Sequence, residues 1–99
     1  MRVEGVIWDG GNLRHIREDH HRCSVKQVED VLLSRCHRSR NTIATNGPPF
    51  VERRFIGQTC GERFLAVLTE NVAGNRHVRP FTCFPPSDAA IMSYLGWRN

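Results

Sequence analysis

The residues of this 99-residue chain that are best suited to chemistry are arginines and histidines. Five arginines fall in or next to the strands that the second half of the chain predicts: Arg53, Arg54, Arg63, Arg76 and Arg79. The planar guanidinium group of arginine can hold two phosphate oxygens at once. Histidine, here above all His15 and His77, can accept and donate protons near neutral pH. These residue types could bind a phosphodiester and move protons around it.

The charge of the whole chain also favours an anionic partner. Fourteen basic side chains against ten acidic ones give a net charge of +4 at pH 7 with neutral histidines. A surplus of this size is common among soluble proteins, and a GC-rich coding bias would explain the excess of arginine over lysine equally well. The surplus is compatible with nucleic-acid binding and does not establish it.

The cysteines predict neither a zinc ribbon nor a disulfide framework. The four are Cys23, Cys36, Cys60 and Cys83, spread almost evenly and without a C-x-x-C pair. Small buried thiols are therefore expected. Zinc-type ligands do cluster in the first half, at His15, His20, His21, Cys23 and Cys36. Only the spacing from His15 to His20 is typical of zinc sites, so no metal or cofactor is expected and a zinc-stabilised binding protein is an alternative.

The first half of the chain predicts one strand and two helices. Residues 3–8 are rich in β-branched side chains and predict a short strand, and Asp9 can cap a helix over residues 12–20. Ser24 and Gln27 form an S-x-x-Q capping box ahead of an apolar stripe, which predicts the second helix.

The segment that follows the second helix is polar. Residues 35–49 end in the breaker cluster Asn-Gly-Pro-Pro. We therefore expect an exposed loop there, with His37 at the surface.

The second half of the chain predicts three strands and a helix. Strands are expected over residues 50–58, 63–69 and 76–84, separated by turns that suit an antiparallel meander. Pro80 lies inside the last strand, where its missing N–H group implies an edge position or a bulge. A short final helix is expected over residues 89–95.

Together these elements predict one α+β domain over residues 1–99. The order is β-α-α-β-β-β-α, with a mainly antiparallel four-stranded sheet packed against the two N-terminal helices. No stretch approaches the roughly 18 apolar residues that cross a bilayer, and the N-terminus lacks the layout of a signal peptide. A cytoplasmic protein without membrane contact is the resulting expectation.

Strand alternation separates the candidate residues by face. Arg53 and Arg54 must point to opposite faces of their strand, so only one of them can face the core. On the last strand, His77 and Arg79 share one face. The aromatic side chains of the strands suit core packing, whereas Tyr94 near the C-terminus is freer to meet a partner.

Several short motifs, in their order and spacing, give a family resemblance. They are Ile7-Trp8-Asp9 followed by Asn12 and His15, the helix over residues 24–32, the stretches 54–59 and 61–69, residues 76–79, and Tyr94. With these motifs the chain resembles the BrnT family of bacterial type II toxins, small ribonucleases whose fold is similar to that of the RelE group. The resemblance spans nearly the whole chain.

The resemblance implies a RelE-like fold and a metal-independent endoribonuclease that cleaves RNA and so inhibits translation and growth. It implies catalytic roles for His15, Arg54, Arg63 and Arg79. It implies RNA contacts for Arg53, Arg76, His77 and Tyr94. The implied partners are RNA, a cognate antitoxin, and operator DNA reached only through the antitoxin, in a homodimer or a 2:2 heterotetramer.

The chain departs from the family pattern near its C-terminus. The family usually ends its last strand in Ala-Arg, where this chain has Cys83 and Phe84, and it usually carries Glu-Arg in its final helix, where this chain has residues 90–93. Two charged contributions are therefore missing. An RNA-binding or protein-interaction module on the same fold, weakened in catalysis, is the main alternative.

Overall fold

A computed structural model describes residues 2–18, 23–34, 37–41, 50–61, 63–72, 76–94 and 96. Within them the chain forms helices and strands, which confirms the predicted α+β class. In chain order these are β1 (Gly5–Val6), α1 (Gly10–Glu18), α2 (Val25–Leu33), β2 (Arg38–Asn41), β3 (Phe50–Gln58), β4 (Phe64–Val72), β5 (His77–Phe84) and α3 (Asp88–Tyr94). The last two residues predicted for the first helix, 19 and 20, lie outside the described residues.

The described strands form one sheet in the order β1-β5-β4-β3-β2. β3, β4 and β5 make the predicted antiparallel meander. β1 pairs with β5 in parallel, because α1 and α2 carry the chain away from the sheet before it returns. β2 pairs antiparallel with β3 on the other side. The sheet is therefore mixed, with one parallel and three antiparallel pairings among the described strands.

Strand β2 corrects two predictions. The polar segment after α2 was expected to be an exposed loop, but Arg38–Asn41 pairs with β3. His37, expected at the surface, is only 2% exposed, and its Nδ1 lies 3.0 Å from the carbonyl oxygen of Val31. Ser39 is also buried and accepts a hydrogen bond of 3.0 Å from Nε of Arg53. Because the buried side of this strand is polar, no apolar alternation reveals it in the sequence.

Helix α1 is held by reciprocal hydrogen bonds at its N-terminus. Oδ1 of Asp9 accepts from the backbone N–H groups of Gly11 (2.9 Å) and Asn12 (3.1 Å), as the predicted cap requires. Oδ1 of Asn12 accepts from the N–H group of Asp9 at 2.8 Å. The buried amide Nδ2 of Asn12 donates to the carbonyl oxygens of Ile7 (2.9 Å) and Pro80 (2.8 Å). Asn12 thereby joins the start of α1 to β5.

Helix α2 begins with the predicted capping box. The side chain of Ser24 accepts from the N–H group of Gln27, and the side chain of Gln27 accepts from the N–H group of Ser24, both at 3.1 Å. The buried side of the helix carries Val28, Val31 and Leu32, which follow the i, i+3, i+4 spacing of an amphipathic helix.

The two N-terminal helices cover one face of the sheet, which we call the inner face. Its apolar core is formed by Ile16, Val28, Val31, Leu32, Phe55, Leu65, Val67, Val78 and Cys83, among others. The opposite face, called the outer face, carries Ile56 and Ala66, which are fully buried under α3 through Ala90 and Tyr94. This apolar patch occupies one end of the outer face, and the remainder carries polar and charged residues.

Pro80 lies next to a bulge, which is one of the two positions that its missing N–H group predicted, the other being an edge strand. Leu68 of β4 pairs with Thr82, and the next residue, Thr69, pairs with Pro80, so Phe81 has no register partner in β4. Because β5 lies between β1 and β4, it is not an edge strand. The extra residue reverses the alternation, which lets both Pro80 and Cys83 point to the inner face.

A disulfide bond between Cys23 and Cys83 overturns the prediction of free thiols at these positions. The two Cα atoms are 6.5 Å apart although 60 residues separate them in sequence. Cys23 immediately precedes the capping box of α2, Cys83 lies on the inner face of β5, and both belong to the apolar core of that face. Cys60 is a free, exposed thiol, and Cys36 lies outside the described residues. Even spacing along the chain could not reveal this pairing, because it arises from the packing of α2 on the sheet.

Candidate nucleic-acid interface

The outer face gathers half of the site residues expected from the sequence. Arg54, His77 and Arg79 lie on it by strand alternation, and Tyr94 packs onto it from α3. The other four candidates, His15, Arg53, Arg63 and Arg76, lie elsewhere. The outer face is therefore the place where phosphate contacts can converge.

Arg54 lies on β3, between β2 and β4. Its register partners are Arg40 in β2 and Leu68 in β4. Its side chain is half-buried and leaves the same outer face as that of the buried Ile56, two residues later.

Arg79 has two carboxylate partners. Its Nε lies 2.7 Å from Oδ2 of Asp9, its Nη2 lies 3.1 Å from Oδ1 of the same carboxylate, and its Nη1 lies 3.1 Å from Oε1 of Glu70. The hydrogen bond from Arg79, together with the N–H groups of Asn12 and Gly11, lowers the pKa of Asp9 from 3.8 to about 2. The same bond to Asp9 raises the pKa of Arg79. These carboxylates offset the positive charge of Arg79 on the outer face.

Two glutamates lie between the arginines of the outer face. Glu52 of β3 and Glu70 of β4 are register partners, and Arg79 follows Glu70 in the same row on β5. The row next to it contains Arg40, Arg54, Leu68 and Thr82. The positive charge on the β5 side of the outer face is thus balanced by acidic groups.

The two candidates at the start of β5 lie beside β1. His77 is exposed and pairs with Gly5, where a Cβ atom would come within 2.5 Å of the imidazole Cδ2. A glycine at this position therefore lets the imidazole lie across β1. Arg76 is exposed, and its Nη1 lies 3.7 Å from Oε1 of Glu4. This exposed ion pair contributes little to stability.

Three candidates lie on the helix side of the sheet. Arg53 points to the inner face, where it bonds Ser39 and where burial lowers its pKa. Arg63 donates from Nη1 to Oε1 of Gln27 at 3.3 Å, next to the capping box of α2. His15 is exposed on α1, the helix that packs on the inner side of β5. Arg54 and Arg63 consequently lie on opposite sides of the sheet.

Apolar packing occupies the end of the outer face where the family pattern has charged residues. Phe84 and Ala90 belong to the apolar cluster around Ile56 and Ala66. Tyr94 is half-buried there, and its ring meets that of Phe64 edge-on with centroids 6.0 Å apart. Tyr94 therefore belongs to this apolar cluster, and its partner Phe64 lies on the side of Ala66 away from the row of Arg54.

The zinc-type ligands are not assembled in the part of the chain that the structure describes. Cys23 is bonded to Cys83 and so is not a free thiolate. His20, His21 and Cys36 lie outside the described residues. Among those described, no group of three or more His, Cys, Asp or Glu residues has the arrangement of a metal site.

Sequence reasoning missed strand β2 and the register pairing of Glu52 with Glu70. The alternating Arg-Ser-Arg pattern of residues 38–40 is a signal that could have found this strand, because it repeats every second residue as a strand does. No family model, curated protein or solved structure matches this chain. No helix among the described residues is long and apolar enough to cross a membrane.

Proposed function

We propose that this protein is an endoribonuclease similar to the BrnT toxins and that it binds RNA on its outer face. The observation that carries this proposal is that Arg54, His77 and Arg79 lie on the same polar part of the outer face. Cationic side chains on one surface attract an anion. A phosphate of the RNA backbone is an anion that matches the guanidinium group of Arg54 in charge and shape.

The reaction proposed is cleavage by the neighbouring ribose hydroxyl, without a metal. The 2′-oxygen attacks phosphorus, and the bond from phosphorus to the 5′-oxygen breaks, which leaves a 2′,3′-cyclic phosphate and a 5′-hydroxyl. Arg54 is assigned to the negative charge that develops on the non-bridging oxygens, because such preorganised donors lower the barrier most. Arg79 is assigned a positioning role, since its donors are directed at Asp9 and Glu70.

Cleavage of RNA by the purified protein is the decisive experiment. We expect single-stranded RNA to be cut in EDTA, with 2′,3′-cyclic phosphate ends, and the same RNA with 2′-O-methyl groups to stay intact. Arg54→Ala should reduce the rate by about 100-fold or more, as the loss of a transition-state donor does. Arg17→Ala, at an exposed position on α1, is the matched control. RNA that stays intact after long incubation with the wild-type protein, with and without ribosomes, would overturn the enzyme proposal.

A second candidate function is RNA binding without cleavage. Phe84 and Ala90, at the positions where the family usually has charge, are packed into the apolar cluster under α3. A protein that kept the basic outer face and lost those groups would bind RNA with strong salt dependence and leave it uncut. The same cleavage and binding assays distinguish the two candidates.

The partner expected for such a toxin is an antitoxin that covers the outer face, in a 2:2 complex that reaches operator DNA through the antitoxin. An acidic segment would complement the charge of Arg54 on this face. Expression of the chain in the cytoplasm, with and without the product of the neighbouring open reading frame, tests this. Growth arrest that the neighbour relieves, and a complex that copurifies, are the expected results.

A further inference from the structure

We propose that a groove at the C-terminal end of α2 binds an arginine side chain from a basic segment of a partner protein. The groove lies between the last turn of α2 and the turn that follows β3. Its volume of about 440 Å³ is in the range of ligand-binding clefts, which measure about 300–1,000 Å³. None of the outer-face residues proposed to bind RNA lines it, so this inference does not depend on the proposed ribonuclease function.

The wall that α2 contributes to the groove is acidic. Glu29 and Asp30 are adjacent in the C-terminal half of the helix, and both line the groove. The last turn of α2 carries no basic residue, and the carbonyl groups at a helix C-terminus add a partial negative charge. In a chain with a net charge of +4, the groove is thus a place that attracts cations.

The contacts of these two carboxylates are long or exposed. Oε2 of Glu29 accepts from the indole Nε1 of Trp8 at 3.4 Å, and Oδ2 of Asp30 accepts from the N–H group of Cys60 at 3.4 Å. Oδ1 of Asp30 lies 3.6 Å from Nζ of Lys26, whose side chain is 78% exposed. Such contacts compensate little of a carboxylate charge. Both carboxylates can therefore accept further hydrogen bonds from a cation in the groove.

Apolar surface beside the carboxylates favours a cation with an apolar stem. Leu33 lines the groove and is 49% exposed. Arginine can lay its methylene groups against such a surface while its planar guanidinium group donates to two carboxylates at once. Because the groove is open to solvent, the chain that carries the arginine can continue out of it. Charge complementarity therefore points to a basic protein segment as the occupant.

Cys60 makes the proposal testable, because its free, exposed thiol lines the groove. The probes are three peptides, acetyl-Cys-Gly-Leu-Xaa-amide, in which Xaa is arginine, glutamine or glutamate. Each is supplied as its mixed disulfide with 2-mercaptoethanol, and exchange joins the peptide to the Cys60 sulfur and releases 2-mercaptoethanol. At a fixed concentration of 2-mercaptoethanol, binding in the groove raises the occupancy of Cys60. Mass spectrometry of the digested protein counts the adducts at Cys60 alone.

We expect the arginine peptide to half-occupy Cys60 at a concentration at least about fivefold lower than the glutamine peptide, as a charge-assisted hydrogen bond allows. The glutamate peptide should be the poorest of the three, and salt should reduce the preference for arginine. A similar occupancy of Cys60 by all three peptides would overturn the proposal.

Asp30→Asn tests the role of the acidic wall, with Asp88→Asn at the exposed start of α3 as the matched control. Asp30→Asn should bring the preference for arginine over glutamine close to one, and the control should leave it unchanged. Lys26→Ala should raise the preference, because it removes the cation that competes for Asp30. Thermal unfolding checks each variant, and if Asp30→Asn unfolds, Glu29→Gln serves instead and should also lower the preference. A preference that survives the loss of either carboxylate would overturn the proposal.

Two further measurements distinguish the occupants. Acetyl-Gly-Leu-Arg-amide should compete with the arginine peptide at lower concentrations than free arginine amide does, and equal competition would show a site for a small cation instead of a protein segment. Sedimentation tests a second copy of this chain. Self-association of the wild-type protein that Asp30→Asn abolishes would identify that copy as the occupant and overturn the choice of a different protein.

Discussion

Arg79 binds both carboxylate oxygens of Asp9, through Nε at 2.7 Å and Nη2 at 3.1 Å. Because Asp9 is also the N-cap of α1, this pair connects the start of the first helix to the outer face of β5. The third donor, Nη1, reaches Glu70 of β4. An arginine that the family resemblance suggests for catalysis thus has the contacts of a residue that fixes its neighbours in place.

The pairing of Asp9 with Arg79 should make the free energy of unfolding depend on pH in the acidic range. The pKa of Asp9 lies at about 2 in the folded protein, below its ordinary value of 3.8 in an unfolded chain, so the folded state favours the ionised carboxylate. Its contribution is complete above pH 4 and is lost as the pH falls through about 2. Asp9→Asn keeps the helix cap, since asparagine caps as well as aspartate, and removes the charge. Urea unfolding should show a stability gap between wild type and variant that shrinks as the pH falls from 4 towards 2; a gap independent of pH would contradict this.

Asn12 should contribute strongly to stability through its buried amide. Asn12→Ala removes both donors to the carbonyl oxygens of Ile7 and Pro80 and the acceptor for the N–H group of Asp9. Leaving these groups unpaired in the interior should lower the free energy of unfolding by about 2 kcal/mol or more. Chemical denaturation measures the loss. Asn12→Asp, which keeps an acceptor and removes the donors, should also destabilise, and a loss under about 0.5 kcal/mol in both variants would argue against the role.

Reduction of the Cys23–Cys83 bond should weaken the fold. The bond joins residues 60 positions apart, and closing a loop of that length stabilises a protein by about 4 kcal/mol in the chain-entropy model. Denaturation with and without reductant should differ by roughly 2–4 kcal/mol, and the double variant Cys23→Ser, Cys83→Ser should match the reduced wild type. Cys60→Ser is the control, because Cys60 is an exposed free thiol. Alkylation of Cys23 or Cys83 in native, unreduced protein would show that the bond is absent.

RNA binding through Arg54 should be visible in its salt dependence. If Arg54 contacts one phosphate, Arg54→Ala should lower the slope of log affinity against log salt by about 0.7, the value for one contact with a single strand. Arg17→Ala should leave that slope unchanged. Anisotropy titrations at several salt concentrations measure both variants. Equal slopes for wild type and Arg54→Ala would place the phosphate away from Arg54.

Local signals in the sequence predicted the elements whose formation depends on neighbours in the chain. The Ser24–Gln27 capping box fixes the start of α2, and Phe50–Gln58 forms β3 over the predicted residues. The placement of Arg53 and Arg54 on opposite faces followed from strand alternation alone. The missing N–H group of Pro80 predicted an edge position or a bulge, and the structure has the bulge.

Features that depend on distant parts of the chain could not be predicted in this way. On the buried side of β2, Ser39 accepts a hydrogen bond from Arg53 of the neighbouring strand, and His37, just before β2, contacts the carbonyl oxygen of Val31 in α2. The partners of Arg79 come from a helix cap 70 residues away and from a neighbouring strand. The opposition of Arg40 and Arg54 depends on a strand register that the sequence did not specify. The candidate site is therefore largely a product of sheet assembly.

The bond between Cys23 and Cys83 also makes a covalent ring that contains β2, β3 and β4. A single protease cut anywhere inside this ring leaves one connected molecule, and its two pieces separate on a gel only after reduction. A sample that migrates as intact chain under non-reducing conditions can already be nicked between two strands. The integrity of purified protein must therefore be judged after reduction, before any loss of activity is assigned to a substitution.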